Sequence, residues 1–356
     1  MGELRRWIRL QFPGHFVAII SVALAIAGIA VAAWIVTRIR DRKASRFALI
    51  AIALVIAAGY ARWSALGVPD SDVVELVHFL EYGAVAWLFY RAWLPIGGSS
   101  VLILAFLSAM TVGTFEEWFE WYIPARVGEL RDVLLNSVAI GCGLLVSVAI
   151  QPLPARDRRG RPGARRGPAL AVVLAIAILA LGGFTDMAHV GHEIRDPNIG
   201  TFRSILTAAA LDTAATERAT TWAAQPPMTR PAPLSREDQF ASEGLLHVQA
   251  RNRAWGAGQV VVAWHENLIL ERYFAPVLDT PSYVSKGGHR WSPDQRADAE
   301  RRQREAPAAD GDFVSHAQGE FPIVVWSKPL FRGMVLVLAG ALIVLAVALR
   351  RGRLAR

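Results

Sequence analysis

Seven apolar runs punctuate this chain, at residues 16–37, 47–66, 73–93, 101–122, 133–150, 169–184 and 330–349. All but the sixth are close to the roughly 20 residues that an α-helix needs to cross the hydrocarbon core of a bilayer, and the sixth, rather short, is read as a span extended at one end. The pattern therefore predicts an all-α polytopic membrane protein of about seven transmembrane helices. The first run is read as a span rather than a cleaved signal peptide, because it is long and no small-residue cleavage site follows it. Between the sixth and seventh runs lies a polar stretch, 185–329, in which helix-forming segments alternate with proline-rich breaks. Helices are expected over 201–223 and 235–254, with a break at 225–233 between them. Residues 259–274 read as a helix, or as a strand followed by a helix. Ser292, Pro293 and Gln295 form a helix start, with an N-cap serine and proline in the first turn. The charged run 294–305 then reads as a solvated helix, followed by a loop over 306–319.

Charge sets the orientation. Residues 38–46 carry Arg38, Arg40, Arg42, Lys43 and Arg46 against one acid, and a second arginine-rich loop covers 151–168. A third basic cluster, Arg350, Arg351, Arg353 and Arg356, follows the last run. By the positive-inside rule all three face the cytoplasm, which leaves 185–329 outside the cell. Parity then puts the N-terminus outside, against the presence of Arg5, Arg6 and Arg9 there. The domains that follow are 1–45 (first span and basic loop), 46–150 (four-helix membrane domain), 151–184 (basic loop and sixth span), 185–329 (extracytoplasmic segment) and 330–356 (last span and basic tail).

Composition agrees with this picture, with 53% hydrophobic and only 19% charged residues. The net charge of +8 sits in short segments beside apolar runs. That distribution points to topology and anionic lipid, and away from nucleic acid. A single cysteine, Cys142, excludes an intramolecular disulfide.

The densest chemistry lies in GTFEEWFEWYIPARVGELRDVLLNSVAIG, residues 113–141. Glu117 and Glu120 stack at i, i+3 near the end of one helix, and Asp132 and Asn136 at i, i+4 on the next. The Ile123–Pro124 step breaks the first helix and leaves a turn carrying Arg126. Charge this dense beside hydrocarbon-length segments is costly unless it is paired, solvated or facing a ligand. Glu75, His78 and Tyr82 share one stripe of the third run, and Asp72 immediately precedes it. Two readings stand: a head-group or anion site with Arg126 and Arg131 as partners, or an ion-pair network locking helix ends.

Elsewhere the chemistry is sparse. HVGHE (189–193) lacks the H-E-x-x-H order that sets two metal ligands and a base on one helix face. His247, His265, His289 and His316 are scattered. No glycine-rich phosphate loop, G-x-S-x-G elbow or C-x-x-C pair is present, so the sequence implies neither metal nor cofactor.

Asp72, the run HFLEYGAVAWLF from His78 to Phe89, and the 113–141 stretch together resemble the VanZ-like membrane proteins. The positions that match the family pattern are Asp72, His78, Tyr82, Gly113, Glu117, Arg126, Asp132, Asn136 and Gly141. Glu120 departs from it, standing where the family usually has glutamine. The resemblance covers roughly residues 46–150 and implies a bacterial inner-membrane protein with a cell-envelope role, in a family named for a member that gives resistance to the glycopeptide teicoplanin. Combined with the residues, it leads to the expectation that Asp72, His78, Tyr82, Glu117, Glu120, Arg126, Asp132 and Asn136 form one polar site near the outer leaflet. That site would bind a phosphate- or carboxylate-bearing envelope component such as a lipid-linked precursor. An enzyme would use Glu117 or Asp132 as base with His78 in proton transfer. A scaffold would use the cluster to lock helices while 185–329 recruits a protein partner.

Overall fold

A computed structural model describes residues 7–8, 11–12, 14–64, 69–120, 128, 130–153, 163–224, 238–280, 287–306, 312–317 and 322–354. The described chain is mostly helical. In order it runs α1 (Phe16–Arg38), α2 (Lys43–Ser64), α3 (Pro69–Trp93), a 3-10 turn (Leu94–Ile96), α4 (Ser100–Glu120), α5 (Leu130–Ile150) and α6 (Gly163–Ala188). Two strands follow, β1 (Val190–Asp196) and β2 (Gly200–Ser204). Then come α7 (Ala208–Ala224), α8 (Gln239–Gly256), α9 (Val260–Tyr273), α10 (Ala275–Asp279), α11 (Pro293–Glu305), β3 (Val324–Val325) and α12 (Lys328–Leu354).

Among the described residues, each of the seven apolar runs is a helix. Six of them, α1, α2, α4, α5, α6 and α12, are long and apolar enough to cross a membrane. The helix α3, which carries Glu75, His78, Glu81 and Arg91, is not one of the six. The sixth run is short in sequence, but its helix extends at both ends, to Gly163 and Ala188.

The chain divides into two compact units. The membrane unit comprises Met1–Phe115, Leu130–Leu181 and Leu336–Arg356, and the polar unit Glu116–Glu129 and Gly182–Val335. In the membrane unit α3 packs most extensively on α5, and α2 on α5 as well. Tyr82, Ala86, Tyr90, Ala105, Ala109, Ala139 and Ile140 form its buried core. Small residues let the backbones approach, as lipid offers no hydrophobic drive to press them together. A Cβ on Gly143 would lie 2.7 Å from Gly83 Cα, so this glycine is a true close contact. Gly141, two residues earlier on the same helix, has nothing within 4 Å of its Cβ position. Large apolar side chains of α1, α2 and α12 point outward; Ile29, Val55 and Val344 are about 70% exposed. Such a surface suits hydrocarbon.

The polar unit adds something the apolar pattern does not show. Its strands form a sheet in the order β2-β1-β3, with β1–β2 antiparallel and β1–β3 parallel. Residues 201–204, expected at the head of a helix, belong to β2, and the helix starts only at Ala208. The pair α8–α9 turns back through Ala257–Gln259 and encloses Leu245, Val248, Ile269 and Leu270, with Phe202, Phe240 and Phe274 between helices and sheet. Asp238 caps α8 by accepting from the Ala241 N–H at 3.1 Å. The helix α11 begins as its sequence predicts, with Ser292 accepting from the Gln295 N–H at 3.2 Å and proline at the first turn. The 259–274 segment resolves into one helix, α9, with no strand before it.

Candidate functional site

Within the membrane unit, polar groups line the α3–α5 seam. His78 Nδ1 lies 2.9 Å from Asn136 Oδ1. An amide oxygen only accepts, so Nδ1–H is the donor of this bond. Asn136 is fully buried, and the His78 ring stacks parallel to that of Tyr82 at 6.1 Å. Tyr82 is buried too; its ring occupies the space that Gly113 leaves, 3.0 Å from where a Cβ would stand. One turn away, Arg131 bonds Glu75 at 2.7 Å and the Ser64 carbonyl at 2.9 Å. The Ser64 hydroxyl donates to the same glutamate at 3.2 Å. Arg131 thus closes the C-terminal end of α2, where cationic donors complement unpaired carbonyls.

The predicted residues divide as follows. His78, Tyr82 and Asn136 come together. Asp132 is half-buried in the first turn of α5. Asp72 lies in α3, and its side chain is outside what the structure describes, as are Arg126 and the Ile123–Pro124 turn. Glu117 and Glu120 end α4 in the stretch that belongs to the polar unit; Glu117 is buried and Glu120 half-buried. Glu75 is the residue that sequence reasoning left out of the site. Its place on the His78 stripe was the available signal.

The histidines read as scattered are organised in the polar unit. His247 Nδ1 lies 2.6 Å from Glu266 Oε2, and the Ser315 hydroxyl donates to Glu266 Oε1 at 2.5 Å. All three are buried. The carboxylate is the hub here, so no base sits on the serine and the set is not a nucleophilic relay. Glu243 accepts from Ser204, the Ile205 N–H and Gln239. Burial nonetheless pushes its carboxyl above the ordinary range. Arg251 bonds Asn267 at 3.0 Å and the His289 carbonyl at 2.6 Å, and burial lowers its pKa to about 10. Burial and the Arg251 charge lower His289. Burial alone would raise Glu271, but hydrogen bonds from Arg296 and Asn267 prevail and hold it low.

His265 takes a different position, beside a cleft of about 680 Å³ formed by the β1–β2 turn, α9 and residues 312–314. Its Nδ1–H donates to the Ile199 carbonyl at 2.6 Å, and its ring stacks on Phe313 at 4.6 Å. The HVGHE motif falls at the start of β1. His189 bonds the Pro322 carbonyl, and Glu193 pairs with Arg195 at 2.6 Å. Among the described residues no group of three or more His, Cys, Asp or Glu side chains is placed to hold a metal ion.

Comparison with protein-family models, with curated proteins and with solved structures finds no match to this chain. Six apolar helices suited to a lipid bilayer define the class: a multi-pass membrane protein.

Proposed function

We propose that this is a VanZ-like protein of the bacterial inner membrane that binds a polar or anionic envelope component, such as a lipid-linked precursor, at the α3–α5 seam. The observation that carries the reading is the hydrogen bond of half-buried His78 to buried Asn136, with Tyr82 stacked beside it. Ionisable and amide groups at membrane depth are retained where they meet a ligand or one another. The His78 imidazole and the Asn136 amide supply the polar contacts; the cation that the resemblance adds, Arg126, lies outside the described residues. In this reading α3 is a seventh span, and 185–329 is extracytoplasmic by the positive-inside rule.

The test is native mass spectrometry of the gently purified full chain, wild type beside His78→Ala, Asn136→Ala and Arg126→Ala. A discrete lipid-phosphate species present in the wild type and lost in the variants is the expected result. Wild-type lipid occupancy in all three variants overturns it. A second reading, a scaffold, draws support from Arg131, whose guanidinium is already engaged by Glu75 and the Ser64 carbonyl. It predicts variants that lose thermal stability with no ligand to lose. Turnover blocked by Glu117→Gln or Asp132→Asn in a folded protein would instead point to an enzyme.

A further inference from the structure

The opposite ends of the same helices carry a second constellation. Arg38 is the last residue of α1, Arg91 lies in the last turn of α3, and Ile150 ends α5. The Arg38 guanidinium sits over the Trp34 ring at 5.5 Å, and that of Arg91 over Trp87, also at 5.5 Å. The two indoles meet edge to face at 5.8 Å. Between these four side chains and the Ile150–Gln151 end of α5 lies a cleft of about 410 Å³. Its floor is fixed. Tyr90, fully buried, stacks against Trp87 and donates its hydroxyl to the Gln151 carbonyl at 2.5 Å, tying α3 to the end of α5.

Tryptophan and arginine at a helix end are ordinary interfacial anchors. Two features go further. Neither Arg38 nor Arg91 meets a carboxylate among the described residues, although Arg46, a few residues on, pairs with Asp41. And a cation over an indole face spends none of its N–H donors on that contact, so two guanidinium groups present their donors around one cleft. The loop that begins at Arg38 is strongly basic, which sets this end at the cytoplasmic leaflet, where anionic phospholipids reside.

We propose that the Trp34–Arg38–Trp87–Arg91 cleft binds the phosphate of an anionic phospholipid of the cytoplasmic leaflet, the two arginines contacting its oxygens and the indoles its glycerol and upper acyl chains. This site is separate from the His78–Asn136 seam and does not depend on it.

The test incubates the full-length protein in detergent with phosphatidylglycerol, phosphatidylcholine or inorganic phosphate and reads bound species by native mass spectrometry. The wild type is expected to retain phosphatidylglycerol in preference to phosphatidylcholine. Arg38→Gln and Arg91→Gln should each weaken retention about fivefold, the effect of one interfacial cation, and the double variant should lose the preference. His78→Ala should keep it, which separates this site from the seam. Should the glutamine variants fail to fold, the Arg38→Lys/Arg91→Lys protein, which keeps both charges, should still prefer phosphatidylglycerol. Wild-type retention in the double glutamine variant, equal binding of the two lipids, or occupancy by inorganic phosphate alone would overturn the assignment.

Discussion

His247 and Glu266, 19 residues apart on antiparallel helices, meet at 2.6 Å in the interior of the polar unit. The histidine is flanked by Phe202 and Phe274, with ring centroids 5.5 and 5.4 Å away. A carboxylate placed there is tolerable only because His247 and Ser315 satisfy both of its oxygens. Glu266→Ala should therefore cost roughly 3–5 kcal/mol, since it strands a buried histidine and a buried hydroxyl. Glu266→Gln keeps one acceptor oxygen for the His247 N–H and should cost only about 1–3 kcal/mol. Thermal unfolding of the two variants beside the wild type checks the order. Equal losses would show that the carboxylate charge, which both variants remove, and not the hydrogen bond that glutamine keeps, sets the cost.

Acid should loosen the polar unit through His289. Its folded-state value lies below the ordinary 6.5, because burial and the Arg251 charge disfavour the cation. The unfolded chain therefore binds the proton more readily, and stability falls as pH drops from above 6.5 towards the lowered value. Glu243 works the other way. Its raised value means that the fold takes up a proton earlier than the unfolded chain, so its burial costs less as pH falls towards 4.5. The difference between wild type and His289→Gln isolates the histidine. The melting temperature of the variant should fall less between neutral and mildly acid pH, and identical slopes would remove His289 from the account.

Two glycines of α5 make a matched pair for testing helix contact. Gly143 faces Gly83 and Ala86 so closely that a methyl group needs the α3 backbone to move. Gly143→Ala should destabilise the membrane unit by about 1–3 kcal/mol, the usual cost of overpacking. Gly141→Ala meets open space and should be neutral or slightly stabilising, as alanine favours the helix. Melting of both variants in the same detergent gives the comparison. A loss at Gly141 equal to that at Gly143 would mean that lipid packing, not the α3 contact, governs this face.

The spans were legible because hydrocarbon thickness imposes one long, composition-driven signal on each helix. The hairpin Val190–Ser204 was not. Its strands are short, and the alanine-rich stretch from Ala208 extends a helical pattern backward over β2. The cue was the turn Asp196-Pro197-Asn198-Ile199-Gly200, rich in turn-forming residues; Gly200 adopts φ +115, and a Cβ there would strike the Phe313 carbonyl at 2.5 Å. The His78–Tyr82 stripe was readable from helical spacing. Its partnership with Asn136, 58 residues on, emerges only from helix packing, as does that of Arg131 with Glu75. His247 reads as one of several scattered histidines, and Glu266 stands between two polar residues, His265 and Asn267. Nothing in their spacing said that they pair.

The Glu75–Arg131 ion pair separates the two readings of the α3–α5 seam. Both side chains are largely shielded, at 16% and 27% exposure, so removing either leaves a poorly solvated charge. If the pair is a lock, a double-mutant cycle with Glu75→Ala and Arg131→Ala should give a coupling of about 1–3 kcal/mol in thermal stability. The swap Glu75→Arg/Arg131→Glu should then recover part of the loss, although Arg131 also serves the Ser64 carbonyl and a glutamate there cannot donate to it. If Arg131 instead contributes to ligand binding, the swap restores stability without restoring the co-purified lipid. Negligible coupling would remove the pair from the stability of the seam altogether and leave the His78–Asn136 hydrogen bond, worth about 0.6 kcal/mol in a membrane, as a polar tie between the helices.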